Sequence, residues 1–130
     1  MATRSRIGIE LDNGSILSVY LHFDGYPKFS GRILKTYYDT QRKVSSLING
    51  GDISCLWTNL GFNQETLPET GPLYYSQRGE NCPPRLDDNL DDYLSDGEEY
   101  AYLFRNDEWI CWKLGQQREL IEIDEPESDK

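Results

Sequence analysis

Apolar and polar residues alternate between residues 6 and 23, the period of strands that bury one face, and Asn13-Gly14 marks a turn midway. The length of the loop decides which face is buried. A two-residue loop sets Ile7, Ile9 and Leu11 on the same face as Ser18, Tyr20 and His22, which leaves both faces mixed. A three-residue loop, Asp12-Asn13-Gly14 with Gly14 left-handed, pairs Ile9 with Leu17 and Ile7 with Val19. One face then reads Ile7, Ile9, Leu11, Leu17, Val19, Leu21 and Phe23, wholly apolar. A one-residue slip would turn every side chain over, so burial selects this register. The opposite face carries Arg4, Arg6, Glu10, Ser18, Tyr20 and His22, with Arg6 facing Tyr20, Arg4 facing His22, and Asp24 just past the strand.

A helical period follows the turn Asp24-Gly25-Tyr26-Pro27. Ser30 is positioned to cap a helix over 31–38 with Ile33, Leu34, Tyr37 and Tyr38 on one side. A second helix is expected over 40–49, with Val44, Leu47 and Ile48 at helical spacing and Gly50-Gly51 as its stop. Residues 52–69 hold Trp57, Leu60 and Phe62 without a period and read as a packed loop or short turns. Residues 73–76 suggest a short strand, broken at Asn81-Cys82-Pro83-Pro84. A third helix over 87–95 would turn Leu86, Leu90, Tyr93 and Leu94 inward and Asp87, Asp88, Asp91 and Asp92 outward. Residues 100–104 and 109–114 form a second hairpin, and 120–123 add an edge strand. The fold class is α+β, an antiparallel sheet of about four to six strands with two or three short helices packed on it. A single domain spans 1–123, and the acidic tail 124–130 is expected to be disordered.

Composition adjusts this reading in a few places. Hydrophobic residues are 37% of 130, but three Trp, nine Tyr and four Phe supply large buried areas, so a small core is attainable. Only two alanines argue against a helical bundle. No apolar run approaches the about 20 residues of a membrane span, and no secretory pattern opens the chain. Three separated cysteines, Cys55, Cys82 and Cys111, are expected as reduced thiols, with Cys55 and Cys111 in the core. A single histidine and the absence of a C-x-x-C pair argue against zinc, and no metal or cofactor is expected.

The net charge of −10 is unevenly distributed: residues 1–65 carry seven Lys/Arg against six Asp/Glu, and residues 66–130 carry six against seventeen. Such a field disfavours direct binding of nucleic acid or anionic lipid and attracts a basic partner.

Several segments together carry a resemblance. Thr3-Arg4-Ser5-Arg6-Ile7-Gly8, then Val19-Tyr20-Leu21-His22-Phe23-Asp24-Gly25-Tyr26-Pro27, then Val44, Leu47-Ile48 and Gly51-Asp52-Ile53-Ser54 open it. Arg78-Gly79-Glu80, Glu99-Tyr100-Ala101-Tyr102-Leu103-Phe104 and Trp109 extend it across roughly residues 3–113. The chain resembles a recurrent family of small bacteriophage proteins of unknown function, and H-x-D-G-Y-P is the most specific part. The resemblance implies a phage-encoded accessory protein made in the cytoplasm of a host bacterium, and it supplies no activity. Tyr75 and Gln77 stand where that family has a His and an Asp, which weakens a catalytic reading of the Arg78-Gly79-Glu80 segment.

Two candidate surfaces follow. Asp87, Asp88, Asp91, Asp92, Asp96, Glu98 and Glu99 place seven carboxylates within thirteen residues. On a helix their i, i+4 spacing is about 6 Å, close to that of backbone phosphates. The bland reading is a solvated helix face. The preferred one is a non-enzymatic protein, acting in host takeover or counter-defence, that docks Asp87, Asp88, Asp91, Asp92, Glu98 and Glu99 onto a basic host protein in imitation of nucleic acid. The alternative is a small-ligand or nucleotide-sequestering protein using Arg4, Arg6, Tyr20, His22 and Asp24, whose guanidiniums would clamp an anion; its bland counterpart is a polar network closing the hairpin. Catalysis at His22 lacks a nucleophile in a suitable context. Asp87, Asn89, Asp91 and Glu98 match a calcium-loop spacing, but Asp92 occupies the position that requires Gly.

Overall fold

The first hairpin adopts the register that burial demands. In the computed structural model, which describes residues 3–23, 27–55, 73–74, 82–95, 98–114, 118–121 and 123, β1 (Ser5–Glu10) pairs antiparallel with β2 (Ile16–Phe23). Ile7 lies opposite Val19, Ile9 opposite Leu17 and Arg6 opposite Tyr20. The Leu11 N–H donates to the Ser15 carbonyl at 2.8 Å and closes a loop of Asp12, Asn13 and Gly14. Gly14 has φ +88°, a left-handed conformation that costs glycine little. Asn13 Oδ1 accepts from the Ser15 amide at 3.0 Å and from Ser15 Oγ at 2.6 Å, bracing the turn.

The apolar face of this hairpin is covered by helices. A π-helical turn, Pro27–Gly31, leads into α1 (Arg32–Tyr37), and α2 (Gln41–Asn49) follows. Ser30, expected as a cap, is instead fully buried in the π turn, and Gly31 caps α1 without a side-chain hydrogen bond. Thr40 caps α2, its Oγ1 accepting from the Lys43 amide at 3.2 Å. Val44, Leu47 and Ile48 are buried as their spacing requires. The left-handed residue after α2 is Gly51, φ +89°. A Cβ there would stand 2.4 Å from the Cys82 carbonyl oxygen, so that position admits only glycine without rearrangement.

One short strand escapes a periodicity argument, and another lies where the sequence suggests it, within 73–76. β3 (Ile53–Cys55) runs parallel to β2, correcting the loop reading at those residues, and β4 (Leu73–Tyr74) pairs antiparallel with β3. The rest of 56–72 lies outside the described residues. β5 (Arg85–Asp87) pairs with β2 at Ile16, Leu17 and Ser18. The third helix is therefore shorter than its sequence suggests: α3 is only Leu90–Tyr93, capped by Asn89, whose Oδ1 accepts from the Asp92 amide at 2.9 Å. Asp87 belongs to a strand, and Leu86 is 58% exposed rather than inward. The ladder with β2 satisfies the backbone at 85–87, so helix starts only where Asn89 can cap it.

β6 (Tyr100–Arg105) and β7 (Glu108–Leu114) form the second hairpin, turning through Asn106 and Asp107, φ 53° and 63°. Positive φ at both positions is the two-residue turn that suits the twist of paired strands. β8 (Arg118–Ile121) completes the sheet, whose order is β4-β3-β2-β1-β6-β7-β8 with β5 beside β2. The fold is α+β and its pairing is mostly antiparallel. The parallel pairs are β2 with β3 and β1 with β6, which corrects the expectation of a wholly antiparallel sheet, because crossovers leave no local period in the chain. The α1–α2 layer connects β2 to β3 on one face, and α3 connects β5 to β6 across the other.

Both faces are thus covered over the centre of the sheet. The larger core joins Ile7, Ile9, Val19 and Leu21 to Ile33, Leu34, Val44, Leu47, Ile48, Tyr102 and Cys111. The smaller core, under α3, joins Ile16, Ala101 and Leu103 to Tyr93 and Leu94. Among the described residues no helix is long and apolar enough to cross a membrane.

Candidate functional site

The polar face of the first hairpin lies partly beneath α3, and this decides the role of its arginines. Arg6 is 7% exposed. Its Nε donates to Ser18 Oγ at 3.0 Å and its Nη2 to the Ser18 carbonyl at 3.4 Å, while Nη1 lies 3.9 Å from Glu98 Oε2. A guanidinium withdrawn from water requires such partners. They commit Arg6 to the fold, so the expected clamp of Arg4 and Arg6 on an anion is not built. Arg4 is exposed, and its carbonyl accepts from the amides of Glu99 and Tyr100 at 2.9 and 3.3 Å.

Tyr20 and His22 do come together, as neighbours two apart on one strand face must. The Tyr20 hydroxyl and His22 Nδ1 are 2.7 Å apart and both residues are half-buried. Asp24 lies outside the described residues. Among the described residues, Asp52 reaches this strand, its Oδ1 accepting from the Tyr20 backbone amide at 2.9 Å. Asp52 follows Gly50-Gly51 in sequence, and its place beside β2 depends on the parallel pairing of β3, for which no local signal existed.

The acidic segment separates into two groups. Asp87 and Glu98 are engaged within the fold: Asp87 Oδ2 accepts from Arg85 Nε at 3.0 Å, with Arg85 Nη2 at 2.9 Å, and Glu98 stands near Arg6. Their side chains are each 13% exposed. Asp88, Asp91, Asp92 and Glu99 are exposed. Since Asp87 and Asp88 precede α3, the carboxylates form no helical ladder and the phosphate-like spacing is not present. Asp91 and Asp92 lie in the first turn of α3, where the free amide N–H groups favour negative charge, so their clustering is supported rather than penalised. The calcium-loop spacing is likewise occupied by a strand, a cap and a helix. Among the described residues no three His, Cys, Asp or Glu side chains converge as a metal site.

Charge is sorted by layer. Residues 27–49, which form the helical layer, carry five Lys/Arg and one Asp/Glu. The described residues of 85–95 and 98–99, on or beside the opposite face, carry one Arg and six Asp/Glu. No family model, curated protein or solved structure matches the chain.

Proposed function

We propose that the chain is a non-enzymatic binding protein, phage-encoded, that presents Asp88, Asp91, Asp92 and Glu99 to a basic surface of a bacterial host protein in host takeover or counter-defence. The observation that carries this reading is the sorting of charge onto opposite layers of one sheet. Such a molecule carries a strong dipole, and the dipole orients an approaching cationic partner toward the α3 side. Asp87 and Glu98 contribute to the field, but their side chains are held by Arg85 and Arg6. The resemblance to small phage proteins supplies the biological setting of the proposal.

Affinity capture from bacterial lysate, at low and high salt, tests it. The expected result is a retained basic protein that is released by salt and lost with the double variant Asp88→Lys/Asp92→Lys, while Arg4→Ala and His22→Ala leave it in place. Retention indifferent to ionic strength and to the charge reversal, or no retained protein at all, would reject the reading.

A further inference from the structure

Among the described residues the α3 layer covers only part of its face, and the part over β7 and β8 is rich in apolar side chains. α3 packs on side chains of β2 and β6, with Gly8 of β1 beneath Tyr93. Beyond it, β7 and β8 turn Ile110, Trp112, Leu114 and Leu120 to the same side, since Leu103 pairs with Ile110, Ala101 with Trp112, and Trp112 with Leu120. Ile110, Trp112 and Leu114 are half-buried, and Leu120 is 66% exposed. Arg118 of β8, opposite Leu114, shares this face, and carboxylates outnumber it along the border of this shelf. Exposed Glu108 shares its strand face at one end. At the other, the Leu114 amide donates to the Glu99 carbonyl at 2.9 Å, placing exposed Glu99 beside Leu114. Asp91 and Asp92 stand on α3 itself.

We infer that the shelf is a docking site for one amphipathic helix of a partner protein, with its apolar side on Trp112 and Leu120 and its Lys/Arg side toward Glu99, Asp91 and Asp92. This rests on the acidic-surface reading and names the element it would recognise. The dimensions fit a helix: two strands span about 10 Å, the width of a helix with its side chains. A seven-residue strand runs about 23 Å, the length of about 15 helical residues. The charge of the border selects a cationic occupant. The chain's own acidic end, Asp124-Glu125-Pro126-Glu127-Ser128-Asp129-Lys130, is the wrong sign and contains a proline. A second copy offers cationic α2, but α2 spends Val44, Leu47 and Ile48 on its own core.

The test titrates the full chain into three labelled peptides of about 14 residues, followed by fluorescence anisotropy. The first is a Leu/Lys peptide with leucines at i, i+3, i+4 and i+7, the second has the same composition shuffled so that no helical face is apolar, and the third is oligolysine. The amphipathic peptide is expected to bind at least about tenfold more tightly than the shuffled one, and Leu120→Thr or Ile110→Thr to erase that preference. Leu120 is exposed, so its variant should keep the thermal midpoint of the parent. If the three peptides bind alike and Leu120→Thr changes nothing, while salt or Asp88→Lys/Asp92→Lys releases them all, the shelf is rejected and the acidic-surface reading stands. If the amphipathic preference persists at high salt and in the charge-reversed variant, the acidic-surface reading falls and the apolar shelf stands without its cationic selectivity. Failure of the amphipathic peptide to bind the parent chain at low salt rejects the shelf outright.

Discussion

Tyr93 joins two parts of the chain that no local pattern relates. Its ring is fully buried over β1, and its hydroxyl donates to the Tyr102 carbonyl at 2.5 Å. Burial raises its pKa above the ordinary tyrosine value, so the phenol stays a neutral donor throughout the working range. Gly8 makes the arrangement possible: a Cβ there would stand 2.9 Å from Ile16 Cγ2 and 3.0 Å from the Tyr93 ring. Tyr93→Phe should cost about 1 kcal/mol by removing a buried hydrogen bond to the Tyr102 carbonyl. Gly8→Ala should cost about 1–3 kcal/mol by overpacking. Denaturant unfolding measures both, and a loss below about 0.3 kcal/mol in each would mean that α3 is not seated on β1 as described. Arg6 teaches the same lesson from the polar side. Its place opposite Tyr20 was legible from the hairpin register, but its partner Glu98 is remote in sequence, and only the crossover over the sheet makes it a structural residue rather than a ligand-binding one.

At the scale of elements, the parallel seam between β1 and β6 joins the two hairpins. It is tied at its end by Arg105, whose Nη2 lies 2.7 Å and Nε 3.3 Å from the Glu10 carboxylate oxygens. The hydrogen bonds from Arg105 hold the Glu10 pKa below its ordinary value. A carboxyl whose folded pKa is lowered stabilises the fold fully above its unfolded value, and the contribution is lost as pH falls through the folded one. The pair is a third open to solvent, so Glu10→Gln should cost less than about 1 kcal/mol at neutral pH. The difference between variant and parent should vanish in acid below the ordinary glutamate range. A pH series of thermal melts checks this, and a gap that widens toward acid would contradict the assignment. The same seam explains why the sheet is mixed. Alternation identified β1, β2, β6 and β7 and the pairing within each hairpin, but which hairpin edges meet is set by the long connections, not by either strand.

For the molecule as a whole, the single central sheet couples its two cores. Cys111 on β7 is buried in the larger core, and burial pushes its thiol up to about 12. Thiolate is the reactive form, so Cys111 should resist iodoacetamide near pH 8 and be labelled at the rate of global opening, with half-buried Cys82 reacting first. Mass mapping of labelled peptides distinguishes the two, and early labelling of Cys111 would show that the cores open separately.

Sequence alone determined the hairpin register, the α2 stripe, the α+β class and the concentration of negative charge in the second half, because each is a local periodicity or a sum over residues. Even the bulged turn at Gly14 followed, since only that loop length gave a uniformly apolar face. Tertiary structure decided which carboxylates face outward, which arginine is buried, that Asp52 meets the Tyr20 amide, and that Leu120 of β8 stays exposed beside half-buried Trp112. Those outcomes depend on contacts between distant segments, and on crossovers over both faces of the sheet that leave no periodic trace in the chain.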